Sequence, residues 1–159
     1  MTERRAFKNP EIADAPLSAS ELNKILLLQL LDELCLLAES FTPNAVASIM
    51  LYDAKREALF VENAPSLNDE AIEAFNGIRS GDGSCGKAVY HNEAMYVCNT
   101  KVDKRWINVI DLAARFNICS CFSFPILNEE REAIGSFAIS SFEPRTPSGF
   151  HRALLETCT

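Results

Sequence analysis

Several chemistries are missing from this chain. It has no CxxC pair, and its two histidines, His91 and His151, stand in no spacing that a structural zinc site uses, so no metal site is expected. No GK[ST] follows the glycine-rich turn at residues 80–86, which removes the P-loop reading. No Ser/His/Asp arrangement or paired-acid motif points to hydrolysis or acid–base catalysis, so no catalytic residue and no cofactor are expected. Positive charge is scarce, 15 basic against 22 acidic residues for a formal net charge of -7, which argues against nucleic acid or an anionic membrane as partner. The longest apolar run, Ile25 to Ala38, is interrupted by Gln29, Asp32 and Glu33 before reaching the roughly 20 residues of a membrane span. The first residues, Met1 to Lys8, lack the apolar stretch of a signal peptide, so a cytoplasmic protein is expected.

What is present fits one soluble domain. A chain of 159 residues, 48% hydrophobic and 23% charged, is long enough to bury a sizeable core. That length also sets aside a disulfide scaffold for the six cysteines, Cys35, Cys85, Cys98, Cys119, Cys121 and Cys158. Cys119 and Cys121 share a strand face with Cα atoms about 6.6 Å apart, at the far end of the disulfide range and poorly directed. They read as small buried hydrophobes.

The chain is organised around residues 118–142. Two apolar runs, Ile118 to Leu127 and Ala133 to Phe142, flank the charged turn Asn128-Glu-Glu-Arg-Glu132, a hairpin signal. Alternation sets Phe122, Phe124 and Ile126 on one face and Cys119, Cys121, Ser123 and Leu127 on the other; Phe137 and Ile139 share a face opposite Ile134, Ala138 and Phe142. Neither face is plainly polar, so the hairpin needs cover on both sides.

In chain order, residues 1–17 read as a loose leader and 18–159 as one domain. Ser18-Ala-Ser-Glu21 is a capping box that opens a helix over Leu22–Ser40. Its leucine surface is wider than one stripe: Leu26, Leu30, Leu34 and Leu37 are expected on a sheet, leaving Leu27, Leu28 and Leu31 for another partner. A hairpin follows over Ala45–Tyr52 and Glu57–Glu62, then a helix from Asn68 to Gly77. The turn Ser80–Gly86 leads into a short helix, Lys87–Tyr90, and a strand, Ala94–Cys98. Asp103 opens a further helix, and after the central hairpin Thr146-Pro147 caps the last one. That helix reaches Thr159 without a capping residue and is expected to continue in a longer protein.

These segments resemble a GAF domain of the type found in bacterial signalling proteins beside PAS, histidine kinase or diguanylate cyclase modules. The resemblance rests on Gly83-Ser-Cys-Gly86 with Ala88 and Tyr90, Asp103-x-Arg105-Trp106, Cys121-x-Ser123-x-Pro125-Ile126-Leu127, Gly135-x-Phe137-Ala138 and Glu143-Pro144-Arg145-x-Pro147. It covers roughly residues 20–158. It implies an α+β fold with a six-stranded antiparallel sheet, N- and C-terminal helices on one face, and short helices and loops over a small-molecule pocket on the other. The Asn-Lys-x-x-x-Phe-x-x-x-Asp-Glu pattern of cyclic-nucleotide-binding members is absent, and bilin attachment has no support. GAF proteins that reduce free methionine sulfoxide share the Gly-x-Cys-Gly turn but need two further cysteines. Their neighbourhoods hold Phe75 and Val109 here, leaving Cys85 alone.

The candidate ligand-binding residues are Cys85, Asp103, Trp106, Phe122 and Phe124. Cys85 precedes a short helix whose dipole would favour a thiolate; its other reading is a small residue packing a tight turn. Trp106, the only tryptophan, either walls a pocket or fills the core. Phe122 and Phe124 are core residues first and pocket residues second, while Asp103 and Arg105 either position a polar ligand group or form an exposed helix-start pair. The expected function is sensory and non-catalytic: a small effector binds, and a homodimer built from Leu22–Ser40 and the last helix relays the change to an output domain outside this chain. A purely structural dimerisation module and a Cys85-centred reductase are the alternatives.

Overall fold

The computed structural model describes residues 16–159; the leader expected over 1–17 lies, but for its last two residues, outside the described residues. Six strands form one antiparallel sheet: β1 (Ala45–Asp53), β2 (Ala58–Asn63), β3 (Ile78–Arg79), β4 (Met95–Val97), β5 (Ser120–Leu127) and β6 (Ala133–Ser141), in the spatial order β3-β2-β1-β6-β5-β4. The central hairpin is β5–β6, paired with Phe124 opposite Phe137 and Cys121 opposite Ser140. Its turn is closed by the Asn128 side chain, which accepts from the Glu132 amide at 2.8 Å. On its other edge β6 pairs with β1, Ser48 opposite Ala138.

Period-two alternation gives the sheet two unlike faces. On one, Ala47, Ile49, Phe122, Phe137 and Ile139 pack against Cys35 and Ala38 of α1 (Ala19–Ser40) and Leu155 of α5 (Gly149–Cys158). On the other, Cys121 and Ala138 meet Trp106, Val109, Ala113 and Ile118, while Met50 and Leu59 meet Val89. This second face is covered by α2 (Asp69–Phe75), α3 (Gly83–His91), a 3₁₀ segment (Lys104–Val109) and α4 (Ile110–Arg115). The α+β architecture read from the sequence is the one observed.

The capping box forms as written. The Glu21 amide donates to Ser18 Oγ at 3.2 Å and the Ser18 amide to Glu21 Oε2 at 2.9 Å. Such a cap is worth about 1 kcal/mol. The leucine assignment on α1 needs correction. Leu31 and Leu34 join Cys35 and Ala38 against the sheet, whereas Leu26, Leu30 and Leu37 are 48%, 67% and 53% exposed. The small Cys35 and Ala38 let the helix seat closely, and that choice rotates Leu31 inward. Glu39 and Asn63 fix the seating: the Ala47 amide donates to Glu39 Oε1 at 2.8 Å, and Asn63 Nδ2 donates to Asp32 Oδ1 at 2.9 Å and the Leu28 carbonyl at 3.1 Å.

Two helix starts also differ from expectation. α5 is capped by Ser148, not Thr146, and the ring of His151 completes its capping box by accepting from the Ser148 amide at 3.1 Å. α3 begins at Gly83 rather than Lys87, so Cys85 sits inside the first helical turn. The glycines make this early start possible. Gly83 has φ +61°, and a β-carbon at Gly86 would run into the Arg79 carbonyl oxygen.

Candidate functional site

Beneath α3 lies a cavity with about 40 Å³ of free space, enough for a few water-sized molecules. Its floor is the second sheet face, with Ser48 and Met50 of β1, Cys121 of β5 and Ser140 of β6. The roof is the start of α3, Gly83 to Cys85, and Trp106, Val109, Leu67, Phe75 and Ile78 complete the wall. Most of this lining is apolar; the polar groups are hydroxyls and thiols, with one carboxylate, Asp82, at the start of α3.

A short relay fixes the roof. Trp106 Nε1 donates to Ser84 Oγ at 2.9 Å, and Ser84 Oγ donates to the Cys121 carbonyl at 3.3 Å. Trp106 is thus both core and wall: its ring is buried, it borders the cavity, and its N–H holds α3 down on β5. Ser140 Oγ lies 3.4 Å from Cys121 Sγ. Ser123 and Ser136 are fully buried beside them, and neither hydroxyl makes a hydrogen bond of ordinary geometry.

Cys85 and Cys121 form a thiol pair across this space. The Cys121 thiol beside Cys85 pulls the Cys85 pKa down to about 7 against the cost of burial, helped by the Ser136 and Ser123 hydroxyls and the helix-start amide. The same contact and burial push Cys121 well above the usual thiol range. On the opposite sheet face burial, with Glu39 and Asp32 nearby, raises Cys35 to about 12.

Of the sequence-derived candidates, Cys85 and Trp106 border the cavity and the other three do not. Phe122 and Phe124 point to the α1/α5 face, where Phe122 meets Tyr96 and His151 with ring centroids 5.7 and 5.6 Å apart and Phe124 meets Tyr96 at 5.9 Å. Alternation dictates this, because the same strand sends Cys121 and Ser123 to the cavity face. Asp103 caps the 3₁₀ segment and grips Arg105 through two contacts, Nε to Oδ1 at 2.9 Å and Nη2 to Oδ2 at 2.6 Å. Arg105 also donates to the Tyr96 carbonyl at 2.8 Å, so the pair locks this segment to β4. The Arg105 hydrogen bonds hold the Asp103 carboxyl below its ordinary pKa.

Residue-by-residue reasoning passed over Ser84, Ser136 and Ser140. The available signal was a buried strand pair alternating phenylalanine with serine or cysteine, which marks the face where the packing is deliberately small. Among the described residues, no cluster of three or more His, Cys, Asp or Glu could hold a metal, and no helix is long and apolar enough to cross a membrane.

Phe75 and Val109, which occupy the neighbourhoods where reductases of free methionine sulfoxide carry cysteine, border the same cavity. One solved structure with this fold is the type II free methionine-R-sulfoxide reductase from Thermoplasma acidophilum, at 18% identity and TM-score 0.69 over 84% of this chain and 87% of that one. Another is the GAF domain of the Acinetobacter phosphoenolpyruvate-protein phosphotransferase, at 17% identity and TM-score 0.64 over 90% of each chain. A curated relative, the methyl sulfide methyltransferase-associated sensor of Methanosarcina acetivorans, is 30% identical over 123 residues. That match takes in 74% of this chain and only 12% of the relative's length. The GAF domain sequence profile matches residues 27–159, and with the six-stranded sheet and its covered second face this places the chain in the GAF domain family.

Proposed function

We propose that this GAF domain is a non-catalytic sensory module that takes a small molecule into the cavity beneath α3 and works as a homodimer. The observation that carries the reading is the cavity itself, apolar in most of its walls, with hydroxyls, thiols and the Asp82 carboxylate where orientation would be set. The relative whose name includes "sensor" supports the sensory part. At about 40 Å³ the cavity is far below the several hundred Å³ typical of ligand pockets. An effector larger than a few atoms therefore binds an opened form in which α2 and the segment bearing Leu67 swing outward. Its effect on the domain is limited by its preference for that form.

Dimerisation rests on α1. Its first half, Ala19 to Leu27, is exposed all round, and Leu22, Leu26, Leu30 and Leu37 form an outward row at helical spacing. A second copy, the commonest solution for such a surface, would cover this row and the exposed Phe150 of α5 in a helical bundle. Through that bundle a change at the cavity passes to an output domain outside this chain.

One experiment addresses both parts. Native mass spectrometry of freshly purified protein is expected to give a dimer carrying a retained small molecule, and Leu26→Glu with Leu30→Glu is expected to give folded monomers. Unmodified monomer with no added mass would overturn the reading in favour of some other role for the fold.

The lowered Cys85 pKa and the Thermoplasma reductase give the enzymatic alternative its specific support. Against it stand Phe75 and Val109. Free methionine-R-sulfoxide assayed with a thioredoxin system is expected to show no turnover, and activity lost in Cys85→Ser would reverse this conclusion.

A further inference from the structure

We infer that Cys85 and Cys121 form an oxidisable dithiol whose chemical partner is hydrogen peroxide. Both sulfurs border one cavity, and Cys85, on the first turn of α3, packs against the buried cluster that holds Cys121 of the floor strand β5. Two buried hydroxyls with no ordinary hydrogen bond, Ser123 and Ser136, lie on the same sheet face as Cys121, beside Cys85. Unpaired buried hydroxyls carry a desolvation cost, and a transient oxygen-bearing group on Cys85 would relieve it. This site needs no effector, so it stands or falls separately from the sensory reading.

Size selects the oxidant. Room for a few water-sized molecules admits hydrogen peroxide and is too small for an aromatic hydroperoxide or a disulfide-bearing peptide in the closed form. The Cys85 thiolate attacks one peroxide oxygen; an S–O bond forms as the O–O bond breaks. The departing hydroxide takes the proton lost by Cys85 and leaves as water, giving a sulfenic acid. Ser123 and Ser136 are placed to donate hydrogen bonds to the oxygen on sulfur. Cys121 then attacks that sulfur: the S–S bond forms, the S–O bond breaks, and the hydroxyl group leaves with the Cys121 proton as a second water. Two thiols lose two electrons in all, and one peroxide becomes two waters. The product cross-links α3 to β5 through the roof and floor of the cavity, fixing it closed.

The other four cysteines supply internal controls. Cys98 is exposed, Cys158 half-buried, and Cys35 and Cys119 buried, all as free thiols. The test is peptide mapping of reduced, metal-free protein after hydrogen peroxide, with remaining thiols alkylated after denaturation. The expected result is a Cys85–Cys121 cross-linked peptide, formed in preference to oxidation of Cys98 and lost when cumene hydroperoxide replaces hydrogen peroxide. In Cys121→Ser, dimedone is expected to trap a sulfenic acid on Cys85, and the cross-link is lost. A Cys85 that stays reduced while Cys98 is oxidised, or a disulfide joining other positions, would overturn the inference without bearing on whether an effector binds.

Discussion

The two faces of the sheet are built from the same six strands by different rules. The face under α1 and α5 is filled by Phe122, Phe137, Ile139 and Leu155, all essentially without solvent exposure, in one contiguous core. The face under α3 carries Cys121, Ser123, Ser136, Ala138 and Ser140 at the corresponding positions of β5 and β6. Small side chains there leave a gap, and on the same face the Ser123 and Ser136 hydroxyls make no hydrogen bond of ordinary geometry. Alternation of large and small along one hairpin thus separates a face packed without gaps from a face that encloses a cavity. A thiol on each face marks the contrast chemically: the buried Cys35 is raised to about 12, the half-buried Cys85 lowered to about 7.

The largest expected effect comes from breaking the aromatic face. Phe137→Ala should lower unfolding stability by about 3–5 kcal/mol in urea titrations, because no neighbouring element can refill the void. Gly86→Ala strikes the other face through the backbone. The added methyl meets the Arg79 carbonyl and must displace α3, so a loss of about 1–3 kcal/mol is expected, together with faster amide exchange over residues 83–91. Ser136→Ala should be near neutral or stabilising, within about 1 kcal/mol by the same titration, since its hydroxyl makes no hydrogen bond of ordinary geometry. A clear destabilisation there would mean that the hydroxyl is satisfied after all and that the two faces differ less than described.

The smallest effect is one of pH. Burial, with Arg145 nearby, lowers the His151 pKa below its ordinary value. Folding therefore favours the neutral ring, so this contribution is complete above the unfolded pKa of about 6.5 and is lost as pH falls through the lower folded value. Thermal melts should show a modest decline in stability over that acidic window, reduced in His151→Gln.

Much of this was legible in the sequence. Both hairpins, the Ser18 capping box, the order of elements apart from the two-residue β3, and the partition of Phe122 from Cys121 follow from period and turn chemistry, which are local. What escaped was set by long-range fit. Which leucines of α1 face inward depends on how closely Cys35 and Ala38 let the helix approach β1, and the helix alone does not encode that. The start of α3 depends on Gly86 passing the Arg79 carbonyl, a contact between segments. The aromatic residues of β5 drew attention as pocket walls because they are large, whereas a cavity is made where residues are small. Asp103 looked available for a ligand until Arg105, which also donates to the Tyr96 carbonyl, claimed it.

The central claim is that the serine and cysteine face, and not the aromatic face, receives the small molecule. Native mass spectrometry of three proteins tests it most directly: the unmodified chain, Ser140→Leu, which fills the cavity from its floor, and Phe124→Leu, which alters only the opposite face. The account predicts a retained small molecule in the unmodified protein and in Phe124→Leu, and its loss in Ser140→Leu. A molecule kept by Ser140→Leu and lost from Phe124→Leu would contradict it.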